Sequence, residues 1–259
     1  MGKIITIANH KGGVGKTTTC SALGVALSMK GKRVLLIDLD SQRNLTSLFV
    51  HETPQRTIFE AIKDETSLPI VRVTDTLDIA PSSKDLNVTE RYLTLKYQGG
   101  VKGYTILKRL LEPIRDKYDY VLIDCPPSLG DLTKNAFTAS DGVIVSIVPE
   151  AFPTNGLNDL LDAMKKTSTT TTQGKEPLNR SLKLFGILIT RYNRRKINKL
   201  VEDSLRKHFG GIVFDTKIRD NVDISESPLY HKDIFAYSPE SIGARDYTAF
   251  ADEVLTKIN

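Results

Sequence analysis

The 259-residue sequence has little cysteine, no apolar run of about 18 residues, and no large excess of one charge. Its two cysteines, Cys20 and Cys125, cannot form a disulfide framework and belong to no CxxC pair, which favours a reducing compartment. The N-terminus opens with a strand-like segment and has the features of neither a signal peptide nor a membrane span. These absences predict a soluble, cytoplasmic protein.

The charge balance and overall composition are close to those of an average globular protein. There are 36 Lys and Arg residues against 31 Asp and Glu residues, a net charge of +5, and 40% of the residues are hydrophobic. This composition excludes collagen-like, coiled-coil and wholly disordered chains. Any binding to nucleic acid must therefore depend on a local basic patch. No shift in composition divides the chain, so we predict a single domain spanning residues 1–259.

Short apolar runs rich in β-branched residues alternate with segments of helical periodicity. This alternation is typical of α/β proteins with a mostly parallel, twisted sheet and helices on both faces. Several runs are apolar throughout, as strands buried on both faces are. The predicted strands are 4–8, 33–37, 77–80, 120–123, 143–148, 184–190 and 212–214. The predicted helices are 17–29, closed by Gly31, and 104–117, 155–166, 196–208 and 244–258.

One low-complexity stretch, residues 167–174, is rich in threonine and ends in glycine. It predicts a flexible connector between a helix and the next strand, with a regulated phosphorylation site as the alternative.

A glycine-rich segment, NHKGGVGKTTT at 9–19, lies between the first predicted strand and the first predicted helix. Glycines let consecutive backbone N–H groups point at phosphate oxygens, and the helix N-terminus adds the positive end of its dipole. Lys16 would reach the β- and γ-phosphates of a nucleoside triphosphate, and Thr17 would offer a hydroxyl to Mg²⁺. The predicted nucleotide-binding residues are Lys11, Gly12, Gly13, Val14, Gly15, Lys16, Thr17 and Thr18.

This segment departs from the usual Walker A expression GxxxxGK[ST], because His10 stands where that expression requires its first glycine. It carries an additional lysine, Lys11, in KGGVGKT, which is the deviant Walker A pattern. The alternative is a glycine-rich turn between strand and helix that contains lysines by chance.

Two further strands end in acidic residues, which a phosphate loop needs to complete a Mg²⁺ shell. Asp124 follows the apolar run YVLI and precedes Cys-Pro-Pro, so it is the predicted Walker B residue. Asp38 and Asp40 follow the run VLLI, where they would face the γ-phosphate and its water. A ribose-binding role for these two, as in a dinucleotide site, is disfavoured because Lys16 and Thr17 have no place in a GxGxxG turn.

Together these motifs resemble the ParA/MinD family of deviant Walker A ATPases, in particular the Soj-like ParA partition ATPases. The resemblance covers nearly the whole chain and includes KGGVGKTTT at 11–19, KRVLLIDLDSQRN at 32–44, YDYVLIDCPPSLG at 118–130, NAFTASD at 135–141 and NVDISESP at 221–228. It implies a P-loop NTPase fold, hydrolysis of ATP with Mg²⁺, and a homodimer on ATP binding. Lys11 would cross to the partner subunit's ATP and stabilise charge at the γ-phosphate. Gly12 would lie where the subunits meet.

The resemblance also assigns the acidic segment. It gives Asp40 the role of orienting or activating the attacking water, which makes Lys11, Lys16 and Asp40 the predicted catalytic residues. It places Asp38 in the Mg²⁺ environment, with Thr17 and Asp124. The usual DxDPQGN motif reads DLDSQRN here, so both carboxylates are kept and only the rigidity of the loop is changed.

The resemblance further implies that an ATP-bound dimer binds nonspecific DNA on the nucleoid, and that a ParB-like centromere-binding adaptor stimulates hydrolysis during plasmid or chromosome partition. A basic segment, RYNRRKINK at 191–199, is the predicted DNA surface, since phosphate contacts need clustered cations. The predicted DNA-binding residues are Arg191, Arg194, Arg195 and Arg219. Where Soj-like proteins commonly read PRNVR, this chain reads RDNVD, so Asp220 and Asp223 replace two cations.

Three alternatives share the nucleotide residues. A MinD-like ATPase that cycles on membranes would need a basic, bulky amphipathic C-terminal helix, whereas residues 250–259 are partly acidic and better suited to docking on the core. A reductase of the nitrogenase iron-protein type would need two cluster-binding cysteines from each subunit, whereas Cys20 and Cys125 are predicted core residues. A scaffold that holds nucleotide without turning it over and positions a cargo other than DNA, such as a partner of a conjugation or secretion machine, stays open.

Overall fold

A computed structural model describes residues 2–150, 154–169 and 176–258, in which strands and helices alternate as the sequence predicts. The strands are β1 (Lys3–Ala8), β2 (Val34–Asp38), β3 (Val71–Arg72), β4 (Leu77–Ala80), β5 (Tyr120–Asp124), β6 (Gly142–Ile147), β7 (Lys183–Tyr192) and β8 (Val213–Arg219). The helices are α1 (Lys16–Met29), α2 (Asn44–Phe49), α3 (Ile58–Asp64), α4 (Thr89–Tyr97), α5 (Val101–Tyr104), α6 (Ile106–Leu111), α7 (Asp131–Ala139), α8 (Thr154–Thr169), α9 (Lys196–Phe209), α10 (Val222–Glu226), α11 (Ile234–Tyr237) and α12 (Ile242–Lys257).

The described strands form one twisted sheet in the order β3-β4-β2-β5-β1-β6-β7-β8. All neighbouring pairs are parallel except β3 with β4. The carboxyl ends of the parallel strands therefore meet at one edge of the sheet, where open α/β sheets bind their ligands. The register places Asp124 beside Asp38 on one side and beside Ile7 on the other, directly before the glycine-rich loop.

Apolar side chains on the two faces of the sheet pack into two separate cores. Along β2, Leu35 and Ile37 belong to one core, and Val34 and Leu36 belong to the other. This is the alternation expected of a strand that is buried on both faces. One core is covered by α6, α7 and α8, and the other by α1 and α12. The predicted α/β fold with helices on both faces is confirmed.

The predicted strands and helices begin and end within three residues of the observed positions, with two exceptions: β8 extends to Arg219, beyond its predicted end at 214, and the predicted helix 104–117 is wrong. The chain forms α6 over Ile106–Leu111 and then a separate 3-10 turn, Arg115–Lys117. Pro113 lies between them, and it has no N–H with which to continue the helix. The two-residue β3 and the short helices α2, α3, α5, α10 and α11 are too brief to leave a periodic signal in the sequence. The nine-residue helices α4 and α7 were also not predicted.

Two further predictions concern the second half of the chain. Of the predicted connector 167–174, residues 167–169 belong to α8 and residues 170–174 lie outside the described residues. The predicted docking of the last helix is confirmed, because Tyr247, Phe250 and Val254 of α12 are buried in the core beside α1. Within the part of the chain that the structure describes, no helix is long and apolar enough to cross a membrane.

Candidate functional site

The loop between β1 and α1 adopts the conformation that its glycines predict. Gly13 and Gly15 have φ angles of 72° and 82°, in the left-handed region that residues with a β-carbon rarely adopt. Gly15 is also the N-cap of α1, so the backbone enters the helix directly from the loop. An anion placed in this loop meets the N–H groups of the first helical turn and the positive end of the helix dipole.

Neighbouring strands hold this loop in place. The side-chain amide of Asn9 donates to the carbonyl of Ser146 at 2.7 Å, and its oxygen accepts from the N–H of Lys11 at 3.0 Å. Further along the loop, the hydroxyl of Thr190 donates to the carbonyl of Val14 at 2.9 Å. Ser146 and Thr190 belong to β6 and β7, so the sheet itself fixes the shape of the loop.

Lys16 is the first residue of α1, and its side chain lies back over the loop. The residue is 7% exposed, and its ammonium donates to the carbonyl of Lys11 at 3.1 Å. Burial lowers the pKa of this ammonium, and the carboxylate of Asp124 opposes that shift. A largely desolvated cation over a phosphate loop can bind strongly to phosphate oxygens.

Asp124, at the end of β5, is fully buried, and neither of its carboxylate oxygens accepts a hydrogen bond from a described residue. Burial raises the pKa of this carboxyl, and the charge of Asp38 adds to the shift; the nearby Thr17 hydroxyl and Lys16 ammonium oppose it. A buried carboxylate without donors is costly unless a cation completes its surroundings. Mg²⁺ prefers carboxylate and hydroxyl oxygens, so the residues present fit this ion.

Asp38 lies beside Asp124, but its carboxylate has donors. Its Oδ1 accepts the N–H of Asp40 at 3.0 Å, and its Oδ2 accepts the N–H and the hydroxyl of Thr46 at 2.8 and 2.7 Å. Burial raises the pKa of this carboxyl to about 6, against the lowering effect of the Thr46 bonds. Asp38 therefore anchors the segment that carries Asp40, and its place in the Mg²⁺ environment stays a prediction.

A cavity of about 500 Å³ opens beside the loop at the carboxyl edge of the sheet. It brings together predicted residues from four separate parts of the chain. These are Gly12, Gly13, Gly15, Lys16, Thr17, Thr18, Asp40, Arg191 and Arg219. A nucleotide in this cavity would have its phosphates against α1.

The cavity is also lined by residues to which the sequence analysis gave no part in nucleotide binding. They are Ile218, Asn221, Ile224, Pro228 and Tyr247. The side chain of Asn221 accepts the N–H of Ile224 at 3.2 Å and so caps α10. The available signal was topological: this segment follows β8, whose carboxyl end lies at the same edge as the loop.

Arg191 and Arg219 line this cavity and are both engaged in ion pairs. Arg219 forks onto the carboxylate of Asp246, with its Nη2 2.5 Å from Oδ1, while that carboxylate also accepts the Arg219 backbone N–H. Arg191 has a positive φ of 50° and lies 3.9 Å from the carboxylate of Asp220. The structure thus places these two cations at the rim of the cavity, and their predicted DNA contacts stay predictions.

Arg194 and Arg195 lie differently, in the exposed turn between β7 and α9. They form no ion pair with a described residue. The buried side chain of Asn198 holds this turn in place. Its Oδ1 accepts the N–H of Asn193 at 2.8 Å, and its Nδ2 donates to the carbonyl of Pro149 at 2.9 Å. The two guanidinium groups are therefore presented to solvent by an ordered backbone at the edge that carries the cavity.

Lys11 extends away from the loop that contains it. Its side chain is 60% exposed, and its ammonium lies 2.6 Å from the carboxylate of Glu150. That contact lowers the pKa of Glu150. The two lysines of the loop thus point to different places, since Lys16 is buried over the phosphate site and Lys11 is at the surface.

A second, larger cavity of about 610 Å³ lies near α7 and α8, with His10 at its rim. Its described lining residues include neither a phosphate-binding loop nor a carboxylate at a strand end. The nucleotide site is therefore the smaller cavity, because only there do the loop, Lys16, Thr17 and Asp40 meet.

This fold and this site define a P-loop nucleoside triphosphatase of the deviant Walker A class. The family model described as "AAA domain" matches residues 2–183. The sporulation initiation inhibitor protein Soj of Bacillus subtilis (strain 168) is 39% identical over 98% of this chain and 98% of its own length. The chromosome partitioning protein ParA of Caulobacter vibrioides is 38% identical over 98% of this chain and 94% of its own. The chain therefore belongs to the ParA/MinD family and is an ATPase of the Soj-like type.

A solved structure supports the cofactor. Cobyrinic acid a,c-diamide synthase from Mycobacterium smegmatis, with bound ADP and magnesium, superposes with a TM-score of 0.82 at 31% identity. The match covers 98% of this chain and 94% of that one. Together with the buried Asp124 carboxylate and the nearby Thr17 hydroxyl, whose oxygens suit Mg²⁺, this match makes ATP and Mg²⁺ the cofactors of the chain.

Proposed function

We propose that this ATPase drives plasmid or chromosome partition: it dimerises on binding ATP, the dimer binds nonspecific DNA on the nucleoid, and a ParB-like adaptor stimulates hydrolysis to release it. Within the site, residues 13–18 would bind the phosphates of the chain's own ATP, while Lys11 would reach the partner subunit's ATP and Gly12 would lie where the subunits meet. Thr17 and Asp124 would hold Mg²⁺ directly or through water, with Asp38 near them. Asp40 would orient the attacking water through its carboxylate. The names of the relatives, Soj and ParA, support the partition role.

The position of Lys11 is the single observation that carries this proposal. Its ammonium is at the surface, paired with Glu150 at 2.6 Å, while Lys16 alone is buried over the phosphate site. Exposed ion pairs contribute only about 0–1 kcal/mol, so a phosphate group from outside can compete with Glu150 for this ammonium. A second subunit that docks face to face would bring such a phosphate, and dimerisation would then depend on ATP.

Gly12 offers a test of this dimer. Apart from its neighbours in sequence, a β-carbon added at Gly12 meets no atom of the described residues within 4 Å, and the φ of Gly12 is not in the left-handed region. We therefore expect Gly12→Leu to lose ATP-dependent dimerisation, because the new side chain would meet a facing subunit. Light scattering with ATP and Mg²⁺ measures the dimer, and equilibrium dialysis measures ATP binding. Dimerisation at the wild-type ATP concentration would contradict the proposed interface.

The turn that carries Arg194 and Arg195 is the proposed DNA surface. Both guanidinium groups are exposed, and no acidic residue in the described part of the chain pairs with them. Lys196 and Lys199 extend the positive charge along the first turn of α9. Cations at a helix N-terminus oppose the helix dipole, so this arrangement is better explained by an external anion than by helix stability.

Reversal of these charges should weaken DNA binding. We expect the double variant Arg194→Glu/Arg195→Glu to bind nonspecific duplex DNA at least about tenfold more weakly, and the slope of log affinity against log salt to fall by about two, because two phosphate contacts are lost. ATP-dependent dimerisation should not change. Fluorescence anisotropy of a labelled duplex across a salt series, with ATP and Mg²⁺, measures both quantities.

The matched control is Lys108→Glu/Lys117→Glu, which changes the net charge equally at exposed positions on α6 and before β5. It should keep most of the DNA affinity. Equal losses in both double variants would mean that only bulk charge matters, and the proposed surface would be wrong. A dimer that binds no DNA even as wild type would favour the scaffold or membrane alternatives.

A further inference from the structure

A ring of hydrogen bonds at the carboxyl edge of the sheet clamps the backbone of Asp40 on both sides. The N–H of Asp40 donates to Asp38 Oδ1 at 3.0 Å, and its carbonyl accepts the hydroxyl of Ser82 at 2.7 Å. Thr46 closes the ring, because its hydroxyl donates to Asp38 Oδ2 at 2.7 Å and accepts the N–H of Ser82 at 2.9 Å. Asp38, Thr46 and Ser82 are each 0% exposed.

The direction of every bond in this ring is fixed. Each hydroxyl has one proton. The Thr46 hydroxyl must accept from the Ser82 N–H, so its proton goes to Asp38; the Ser82 hydroxyl must donate, because its partner is a carbonyl. Such a buried, fully directed network holds its members in one arrangement. Its elements come from three places: the end of β2, the first turn of α2, and the segment after β4.

Asp40, whose backbone the ring holds, also lines the nucleotide cavity. Its own Oδ1 accepts the N–H of Gln42 at 2.9 Å. The ring contacts the Asp40 backbone and leaves Oδ2 free. A carboxylate that orients water toward a phosphate depends on contacts that hold its own backbone in place. A displacement of such a group by about 1 Å can cost two orders of magnitude in rate.

We propose that Ser82 and Thr46 are positioning residues for ATP hydrolysis, which hold the Asp40 carboxylate in its working orientation through the Asp40 peptide. This rests on the proposed role of Asp40. Ser82 is the more informative of the two, because its side chain makes a single hydrogen bond among the described residues. The Asp40 carbonyl would also keep a second donor, the N–H of Arg43 at 3.0 Å. Removal of the Ser82 hydroxyl therefore loosens the clamp without leaving a buried carbonyl unpaired.

The neighbouring Ser83 provides a matched control. Its hydroxyl is also buried, but it makes no hydrogen bond with a described residue. Ser82→Ala and Ser83→Ala are the same chemical change one residue apart, and only the first removes a member of the ring.

The experiment compares Ser82→Ala, Ser83→Ala, Asp40→Asn and Ser82→Ala/Asp40→Asn. In single-turnover hydrolysis with protein in excess, we expect Ser82→Ala to be about tenfold slower than wild type, with ATP affinity within about twofold, and Ser83→Ala to match wild type. In the nucleotide-free protein, amide hydrogen exchange over residues 38–46 should be about three- to tenfold faster in Ser82→Ala alone, the effect of one lost hydrogen bond.

The double variant separates positioning from general structural damage. If Ser82 acts through Asp40, the double variant should hydrolyse ATP no more slowly than Asp40→Asn, because the effects of residues that act as a unit are not additive. A wild-type rate in Ser82→Ala, or the same tenfold loss in both backgrounds, would overturn the inference while leaving the role of Asp40 intact. A wild-type rate in Asp40→Asn would remove the proposed role of Asp40 and the inference with it. Loss of the cooperative unfolding transition in Ser82→Ala would make Ser82 a folding residue and also overturn it.

Discussion

Lys16→Ala should lower ATP affinity by about a hundredfold or more and reduce hydrolysis to background. The ammonium is the buried cation over the loop, held 3.1 Å from the Lys11 carbonyl and close to Asp124. Hydrogen bonds between charged groups in a desolvated site are the strong ones, and loss of one donor to a developing oxyanion typically costs about two to three orders of magnitude in rate. Calorimetric titration with ATP and Mg²⁺ measures the affinity, and phosphate release measures the hydrolysis.

Lys11→Ala is the matched control, since it removes a lysine from the same loop but at the surface. The monomer of this variant should bind ATP as the wild type does, because the Lys11 ammonium that the substitution removes contacts Glu150 and not the cavity. Hydrolysis should still be lost, as the proposed crossing to the partner's ATP is removed. Unchanged ATP turnover in Lys16→Ala would show that the loop is not the phosphate site, whatever Lys11→Ala does.

Asp40→Asn should slow hydrolysis by about a hundredfold or more while ATP binding, dimerisation and DNA binding persist. General base catalysis by a positioned carboxylate contributes about 10² to 10⁴ in rate, and an amide cannot accept the proton. The substitution keeps the oxygen that accepts the Gln42 N–H at 2.9 Å, so the turn should survive. Single-turnover hydrolysis measures the rate, and light scattering with ATP measures the persistent dimer.

The control for this charge change is Asp116→Asn, an exposed carboxylate before β5 and away from the carboxyl edge. It should hydrolyse ATP at the wild-type rate. An Asp40→Asn protein that stays monomeric in saturating ATP would contradict the assignment, because it would show that Asp40 is needed to form the ATP state and not to leave it.

Local signals in the sequence were sufficient for the phosphate loop and for most of the strands. Gly13 and Gly15 are required by positive φ angles, and Asp38 and Asp124 mark the ends of fully buried strands. Both kinds of signal lie within a few residues of the feature they specify. For this reason the fold, and the meeting of the loop with the strand-end carboxylates, could be predicted from the sequence.

Contacts between distant residues gave no such signal. Arg219 was selected as a DNA-binding residue, but its carboxylate partner Asp246 is 27 positions away on α12. The difference between Asp38, whose oxygens have donors, and Asp124, whose oxygens have none among the described residues, is equally invisible in the sequence. Ser82 belongs to a segment that pairs with the acidic loop only because β4 lies beside β2 in the sheet.

The most direct test of the account is DNA association of the purified wild-type protein without nucleotide, with ADP, and with ATP and Mg²⁺, each across a salt series, with light scattering to follow dimerisation. We predict dimers and salt-sensitive DNA binding with ATP and Mg²⁺ only, since phosphate contacts release counterions. DNA binding that is equal in all three nucleotide states, or ATP-dependent dimers that bind no DNA at low salt, would contradict the proposed switch.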